Sequence, residues 1–384
     1  MSGADALGTV PAPSWLDRLR GLREALAARP GFRRWAARFP LTRPLARRHA
    51  RALFDLCAGF VYTQVLLACV RLRVFAILAE APLATMALAP RLGLSAEATE
   101  RLMGAAASLR LVARRRDGAW MLGPLGAAMV GNDGIAAMVE HHAMLYADLA
   151  DPVALLRRPR GGTALADYWA YAGAEAPGAV EAARVRDYTA LMAASQPMVA
   201  EEVLAAYRFD RHRCILDVGG GSGAFLAAVA RAAPRSALML FDLPAVAEVA
   251  RERLAAAGLG ARSTIHGGDF TRDALPQGAD LVTLVRILHD HDDAIAQGLL
   301  RRIREALPSG GRILVAEPMA GTPGAEPMGE AYFGFYLLAM GRGRPRRAEE
   351  IMRMLVAAGF VRPRRLRTAT PLLTQLVIAD AGQG

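Results

Sequence analysis

Two hydrophobic rhythms divide the 384 residues. From residue 214 onward, apolar runs of about five residues alternate with stretches whose apolar positions recur every three or four. The first kind predicts buried strands and the second amphipathic helices. In order these are strand 214–218, helix 224–233, strand 237–241, helix 245–257, strand 262–266, strand 280–287, helix 294–306 and strand 312–316. Helices 328–340 and 347–358 follow, then closing strands 360–367 and 372–379. Consecutive βα units of this kind predict an α/β fold with a doubly wound, Rossmann-like, mostly parallel sheet.

Before residue 214 the rhythm is almost wholly helical. Residues 1–13 show no periodicity and are expected to lack fixed structure. Trp15, Leu16, Leu19, Leu22 and Leu26 then recur at helical spacing among Arg18, Arg20 and Arg23, which predicts a basic amphipathic helix. A second Arg-rich piece covers 33–51, and 52–80 reads as two largely buried helices. Helices at 86–92 and 96–109, the second capped by Ser95, lead to a hairpin through Asp117-Gly118. Helix, helix and hairpin make a winged-helix-like arrangement. Residues 123–200 are helical connections with an aromatic cluster, Tyr168, Trp169 and Tyr171, and a helix at 188–204 leads into the α/β part. The expected divisions are a basic arm 1–50, a winged-helix-like domain 51–135, a helical connector 136–205 and the α/β domain 206–384.

Charge sharpens two of these readings. The net charge of +11 is carried by Arg alone, because the chain has no Lys. With its abundant Ala and Gly, this reads as a coding bias and weakens basicity as a sign of nucleic acid. The charge is also localised: residues 1–50 hold ten Arg against Asp5, Asp17 and Glu24, which is +7 of the +11. Such an arm suits an anionic bilayer, or else packs on a partner subunit with its arginines solvated. The would-be recognition helix carries Glu97, Glu100, Arg101 and Arg110, too balanced to neutralise phosphates. Only Arg114, Arg115 and Arg116 in the wing favour DNA, so no nucleic-acid partner is expected. Cys57, Cys69 and Cys214 sit among apolar residues and are expected to be buried, reduced thiols of a cytoplasmic protein. No apolar run reaches the roughly 18 residues of a membrane span, and no secretory h-region is visible.

The chemistry centres on Cys214-Ile-Leu-Asp-Val-Gly-Gly-Gly-Ser-Gly-Ala-Phe-Leu226, a strand, a glycine turn and a helix. Gly219, Gly221 and Gly223 allow a ligand close to a helix N-terminus. Alone they also satisfy a dinucleotide pattern, Gly219-x-Gly221-x-x-Ala224. Ligands of such sheets bind beyond the carboxyl ends of the strands, and five strands here end in Asp217, Asp242, Asp269, His289 and Glu317. Asp217 repels a pyrophosphate but attracts an ammonium. Asp242 suits a ribose hydroxyl and Asp269 an exocyclic adenine amine. Together they point to S-adenosylmethionine, which is zwitterionic and lacks phosphate. A nicotinamide oxidoreductase would share the glycines and Asp242 without needing Asp217.

Asp217-Val-Gly-Gly-Gly-Ser-Gly223, Phe241-Asp-Leu-Pro244, Gly267-Gly-Asp-Phe270, Ile287-Leu-His-Asp290 and Ala316-Glu-Pro318 resemble, in order and spacing, the plant-type small-molecule O-methyltransferases. The resemblance covers roughly residues 50–380. It implies that the winged-helix-like domain mediates dimerisation, giving a homodimer, and that S-adenosylmethionine is the cofactor, with no metal. It implies further cofactor contacts from Leu243, Phe270, Arg286 and Ser195. It makes His289 the general base, Glu317 the carboxylate that orients it and Asp290 a second acid. Phe54-Asp-Leu-Cys-Ala-Gly-Phe-Val-Tyr62 and Arg286-Ile-Leu-His-Asp-His-Asp-Asp293 resemble more narrowly the carotenoid branch of the family from purple photosynthetic bacteria. That branch implies a hydroxycarotenoid acceptor and a cytoplasmic enzyme with peripheral contact on the inner, photosynthetic membrane. Bacteriochlorophyll, quinone or phenolic acceptors are the alternatives, and an S-adenosylmethionine-sensing DNA-binding regulator is one of another class.

Phe333, Phe335, Tyr336, Leu337, Leu338 and Met340 fall where the family builds its acceptor pocket, though plain core has the same pattern. One turn departs from the family. Where plant members read Lys-Glu-Arg-Thr, this chain reads Gly343-Arg-Pro-Arg-Arg347, with Pro345 at the acid's position. Either Asp290 compensates or the base is tuned differently. Arg342, Arg344, Arg346 and Arg347 are expected to form a solvated loop or to face acidic headgroups. His291 is expected to face solvent, with Asp292 or Asp293 capping the next helix.

Overall fold

Seven strands form one sheet in the order β5-β4-β3-β6-β7-β9-β8, with five parallel strands and an antiparallel edge. They are β3 (Cys214–Val218), β4 (Ala237–Asp242), β5 (Ser263–Gly267), β6 (Leu281–Val285), β7 (Arg312–Glu317), β8 (Phe360–Leu366) and β9 (Gln375–Ala381). The computed structural model describes residues 14–158, 161–169 and 182–382; of 182–192 and 194 the backbone alone is described. Segment 1–13 and Tyr171 lie outside the described residues.

All five residues of β6 and all seven of β9 are buried, because helices cover both faces of the sheet. That burial is why the strands read as unbroken apolar runs. The sequence order reverses between β3 and β6, so a crevice opens there beyond the strand ends. The glycine turn after β3 and the His289 turn after β6 flank it.

The N-terminal part holds α1 (Trp15–Ala28), α2 (Pro30–Arg38), α3 (Arg43–Arg71), α4 (Val74–Glu80), α5 (Thr85–Leu92) and α6 (Ala96–Ser108). A hairpin of β1 (Val112–Arg114) and β2 (Trp120–Leu122) follows. Ser95 caps α6 through a bond from the Ala98 amide (3.1 Å). In the wing, Arg114 pairs with Glu100 at 2.5 Å and lies over the Trp120 ring.

The stretch 52–80 departs from expectation. It is not two buried helices but the end of α3, then α4. Of the 29 residues of α3 only Leu67 and Cys69 are buried, and Cys57 is exposed. Arg73, at φ +55°, marks the break before α4, whose Val74, Phe75 and Leu78 are buried. By length and composition α3 is apolar enough to cross a membrane; Asp55, Thr63 and Gln64 punctuate its apolar run and hid this. The 50/51 and 135/136 divisions both fall inside helices, α3 and Asp133–Asp148.

Candidate active site

Asp217 lies on β3 with 1% of its surface exposed. One carboxylate oxygen accepts from Thr283 Oγ1 at 2.6 Å, while Oδ2 is buried with no protein partner. Burial pushes the carboxyl up to about 7 against the Thr283 hydrogen bond, and nearby Asp242 adds to the rise. The turn that follows is built on left-handed glycines, with φ +70° at Gly219, +57° at Gly221 and +74° at Gly223. A Cβ on Gly219 would sit 2.4 Å from Ile287 Cδ1, so this turn passes against the one after β6.

Asp242 fixes the turn from the neighbouring strand. Its oxygens accept from the amides of Gly221 and Leu243, each at 2.7 Å. Burial raises this carboxyl too, to about 6, despite those two amides. Asp269 shapes its own loop by accepting from the Thr271 amide (2.8 Å) and hydroxyl (2.7 Å). Phe270 stands edge-on to His291, with ring centroids 5.2 Å apart. His291 is therefore half-buried against an aromatic ring and not solvent-facing; burial lowers its pKa. Arg286, at φ +59°, reaches back to Ser195 Oγ (2.8 Å) and Gln196 Oε1 (2.5 Å), which ties helix Ala182–Ala206 to the end of β6.

These residues fit S-adenosylmethionine. Asp217 Oδ2 is a buried acceptor lacking a donor, as an ammonium would supply. Asp242 and Asp269 keep lone pairs for hydroxyl or amine donors. Gly221 has open space around it, which leaves room for a ligand beside the helix N-terminus.

The turn after β6, residues 288–290, carries His289. Its Nε2 is 3.0 Å from Asp290 Oδ1, and its buried Nδ1 lies 3.7 Å from Glu317 Oε1 with no hydrogen-bond partner. Burial alone would lower the imidazole, but the two carboxylates outweigh it and hold it up at about 10. Glu317 acts mainly on the backbone. Its Oε1 accepts from the amides of Ile287 (3.1 Å), Leu288 and His289 (3.2 Å). Asp290 is thus the acid nearest the imidazole.

Of the four arginines of this loop Arg347 is exposed as expected, but Arg346 is not. Arg346 is buried and donates to the carbonyls of Leu288 and His291 (2.7 Å) and to Asp293 (2.7 Å). The Arg344 side chain bonds Asp293 and Glu350, each at 3.1 Å, and its amide donates to the His289 carbonyl (3.0 Å). Arg347 pairs with Glu330. Asp292 stands at the N-cap of helix Asp293–Ala306 but makes no capping bond; it accepts from the Gly343 amide (3.1 Å). The 288–293 turn and the 343–347 loop are one interlocked unit.

An aromatic wall rises beside His289. A π-helical turn, Met328–Phe333, feeds helix Gly334–Met340, a distortion common at functional sites. Phe333 is 5.8 Å from the His289 ring and packs edge-on to Tyr332 at 4.9 Å. Behind it Tyr336 OH meets His141 Nε2 (2.8 Å) and accepts from Trp169 Nε1 (3.2 Å), while Tyr332 OH meets His142 Nε2 (2.7 Å). Burial, with His142 adjoining, drives His141 down to about 4, so the wall is uncharged near neutrality. His141 and His142 escaped the sequence reading because their partners lie nearly two hundred residues away.

Residues 146–361 match the O-methyltransferase domain family, and residues 54–132 the O-methyltransferase dimerisation domain. The chain belongs to the S-adenosylmethionine-dependent O-methyltransferases. It is 49% identical over 349 residues, 90% of each chain, to the demethylspheroidene O-methyltransferase of Cereibacter sphaeroides. It is 34% identical to the acetylserotonin O-methyltransferase of Mus musculus, covering 88% of this chain and 90% of that one. Human N-acetylserotonin methyltransferase, solved with S-adenosylmethionine, superposes with a TM-score of 0.71 at 26% identity, over 87% of this chain and 98% of that one. This O-methyltransferase therefore has the family's α/β fold and N-terminal dimerisation domain, and uses S-adenosylmethionine.

Proposed function

We propose that this O-methyltransferase, acting as a homodimer, methylates the tertiary hydroxyl of a hydroxycarotenoid of the demethylspheroidene type in carotenoid biosynthesis. The observation that carries the acceptor class is the 49% identity to the Cereibacter enzyme along nine-tenths of both chains. The uncharged aromatic wall beside His289 agrees with it, since a polyene offers little but apolar surface. The reading assigns the cofactor to Asp217, Gly219, Gly221, Gly223, Asp242, Leu243, Asp269, Phe270, Arg286 and Ser195. An acceptor this lipophilic resides in a membrane, so the enzyme works as a cytoplasmic protein in peripheral contact with the inner membrane.

S-adenosylmethionine supplies a methyl group already activated on its sulfonium. What remains for the protein is to align the acceptor oxygen and take its proton. In this reading His289 takes that proton at Nε2, where the entering hydroxyl displaces Asp290. The imidazolium so formed is then held by Asp290 and Glu317, the same carboxylates that raise it in the free protein. A tertiary alcohol is far less acidic than a phenol, so its proton leaves together with methyl arrival.

The test is transfer of labelled methyl to a detergent-dispersed tertiary hydroxycarotenoid, in competition with phenolic, quinone and bacteriochlorophyll acceptors. Labelled carotenoid ether is expected. Label appearing only in another acceptor would sink the assignment.

A further inference from the structure

The basic arm carries a pattern that the methyl-transfer chemistry does not use. Ser14 caps α1 reciprocally with Asp17, so the helix end is self-sufficient. None of the fourteen residues of α1 is buried. Trp15, Leu19 and Leu22 are 69%, 54% and 60% exposed, so this apolar stripe has no partner among the described residues.

The charges are placed around that stripe in a particular way. At about 100° per residue, Trp15, Leu19, Leu22 and Leu26 fall within about 60° of one another. Arg18 borders them on one side and Arg23 on the other, with Arg20 beyond. Asp17 and Glu24, the acids of α1, lie on the opposite side. Arginines at both borders and acids directly opposite are what a bilayer interface requires. The stripe enters the acyl boundary, guanidinium groups reach the headgroups, and acids stay in water. A helix packed on protein also carries polar residues opposite its apolar stripe; what an anionic surface adds is attraction for the arm's charge, +7 over residues 1–50. The second helix continues the theme: α2 carries Arg33, Arg34 and Arg38 with no acid. Its Phe32, Trp35 and Phe39 form a ladder of rings 5.5 and 4.9 Å apart, and Trp35 and Phe39 are exposed. Tryptophan is enriched at membrane–water interfaces.

We infer that α1 and α2 dock this enzyme on an anionic lipid bilayer, α1 lying in the interface with its Trp15–Leu19–Leu22 stripe downward. The inference takes its purpose from the lipophilic acceptor proposed above, while its geometry stands apart from that reading.

The full-length protein is sedimented with vesicles of phosphatidylcholine alone, or with about one third phosphatidylglycerol. Binding to the anionic vesicles with a blue shift of tryptophan emission is expected, and little binding to the neutral ones. Replacing Arg18, Arg20 and Arg23 together by Gln is expected to weaken binding about a hundredfold. Leu19→Glu with Leu22→Glu should abolish it, leaving methyl transfer to a detergent-dispersed acceptor intact. Wild-type protein that stays in the supernatant with both vesicles would overturn the inference. So would a Leu19→Glu, Leu22→Glu variant that still binds vesicles but turns from dimer to monomer, since the stripe would then cover a second copy. Vesicle binding without carotenoid turnover supports the anchor and removes the acceptor assignment instead.

Discussion

The buried guanidinium of Arg346 donates to the carbonyl of Leu288, the residue just ahead of His289 in the chain. It also holds the His291 carbonyl and Asp293, so one side chain clamps both ends of the turn that presents the imidazole. Arg346→Lys keeps the charge but cannot reach all three partners from one planar fork. A loss of about tenfold or more in kcat is expected, on the scale of misplaced catalytic groups. Cofactor affinity by calorimetry should hold, because Arg346 touches none of the cofactor residues. A folded Arg346→Lys variant with normal kcat would show that the clamp is structural only.

Gly343 tests the same unit from its other side. Its φ is +75°, and a Cβ there would lie 2.1 Å from the His289 carbonyl oxygen. Gly310, at φ +78° with open space around it, is the control. Alanine at either position should cost about 1–3 kcal/mol through backbone strain. Only Gly343→Ala should also lower kcat, by displacing His289. Thermal melts paired with turnover separate the two; equal kcat in both variants would contradict the interlock.

The pH profile should follow His289. Held up at about 10, the imidazole is protonated near neutrality and must lose that proton to act as a base. The rate is therefore expected to climb with pH along an alkaline limb. Asp290→Asn removes one of the charges holding the proton and should move that limb to lower pH. His289→Ala should lose about 10²–10⁴-fold in methyl transfer. The raised pKa has a stability counterpart. Its contribution is fully present below the ordinary 6.5 and lost as pH rises through about 10.

Asp217→Asn should separate stability from binding. A carboxyl raised from 3.8 to about 7 gives a contribution present below about 4 and lost as pH rises through 7. Removing the charge should therefore stabilise the ligand-free protein at pH 8, by on the order of 2 kcal/mol. The same variant should bind S-adenosylmethionine much more weakly. Melting curves with and without cofactor read both effects, and unchanged affinity would take Asp217 out of the site.

The strand frame was legible because β3, β6 and β7 are buried on both faces and their apolar runs begin and end sharply. The strand-end residues were legible as a set for the same reason, since each follows such a run. What escaped depends on pairs far apart in sequence. Nothing near Arg346 says that it reaches into the His289 turn some fifty-five residues earlier, so it read as one solvated arginine among four. Asp292 read as a helix cap because its true partner, Gly343, lies 51 positions away. The α3 helix misled in the opposite sense: its apolar residues looked like core, yet they are exposed along a segment of the dimerisation domain.

The unpartnered oxygen of Asp217 has a thermodynamic consequence for how the methyl donor is captured. A carboxyl held up at about 7 by burial must ionise when an ammonium docks beside it, so capture and proton release are linked. Below pH 7 the donor has to displace that proton from Asp217, and its apparent affinity declines with acidity. Binding heats measured in buffers of differing ionisation enthalpy should diverge in proportion to that released proton. Acidification would then throttle methylation at the capture step, before any chemistry at His289.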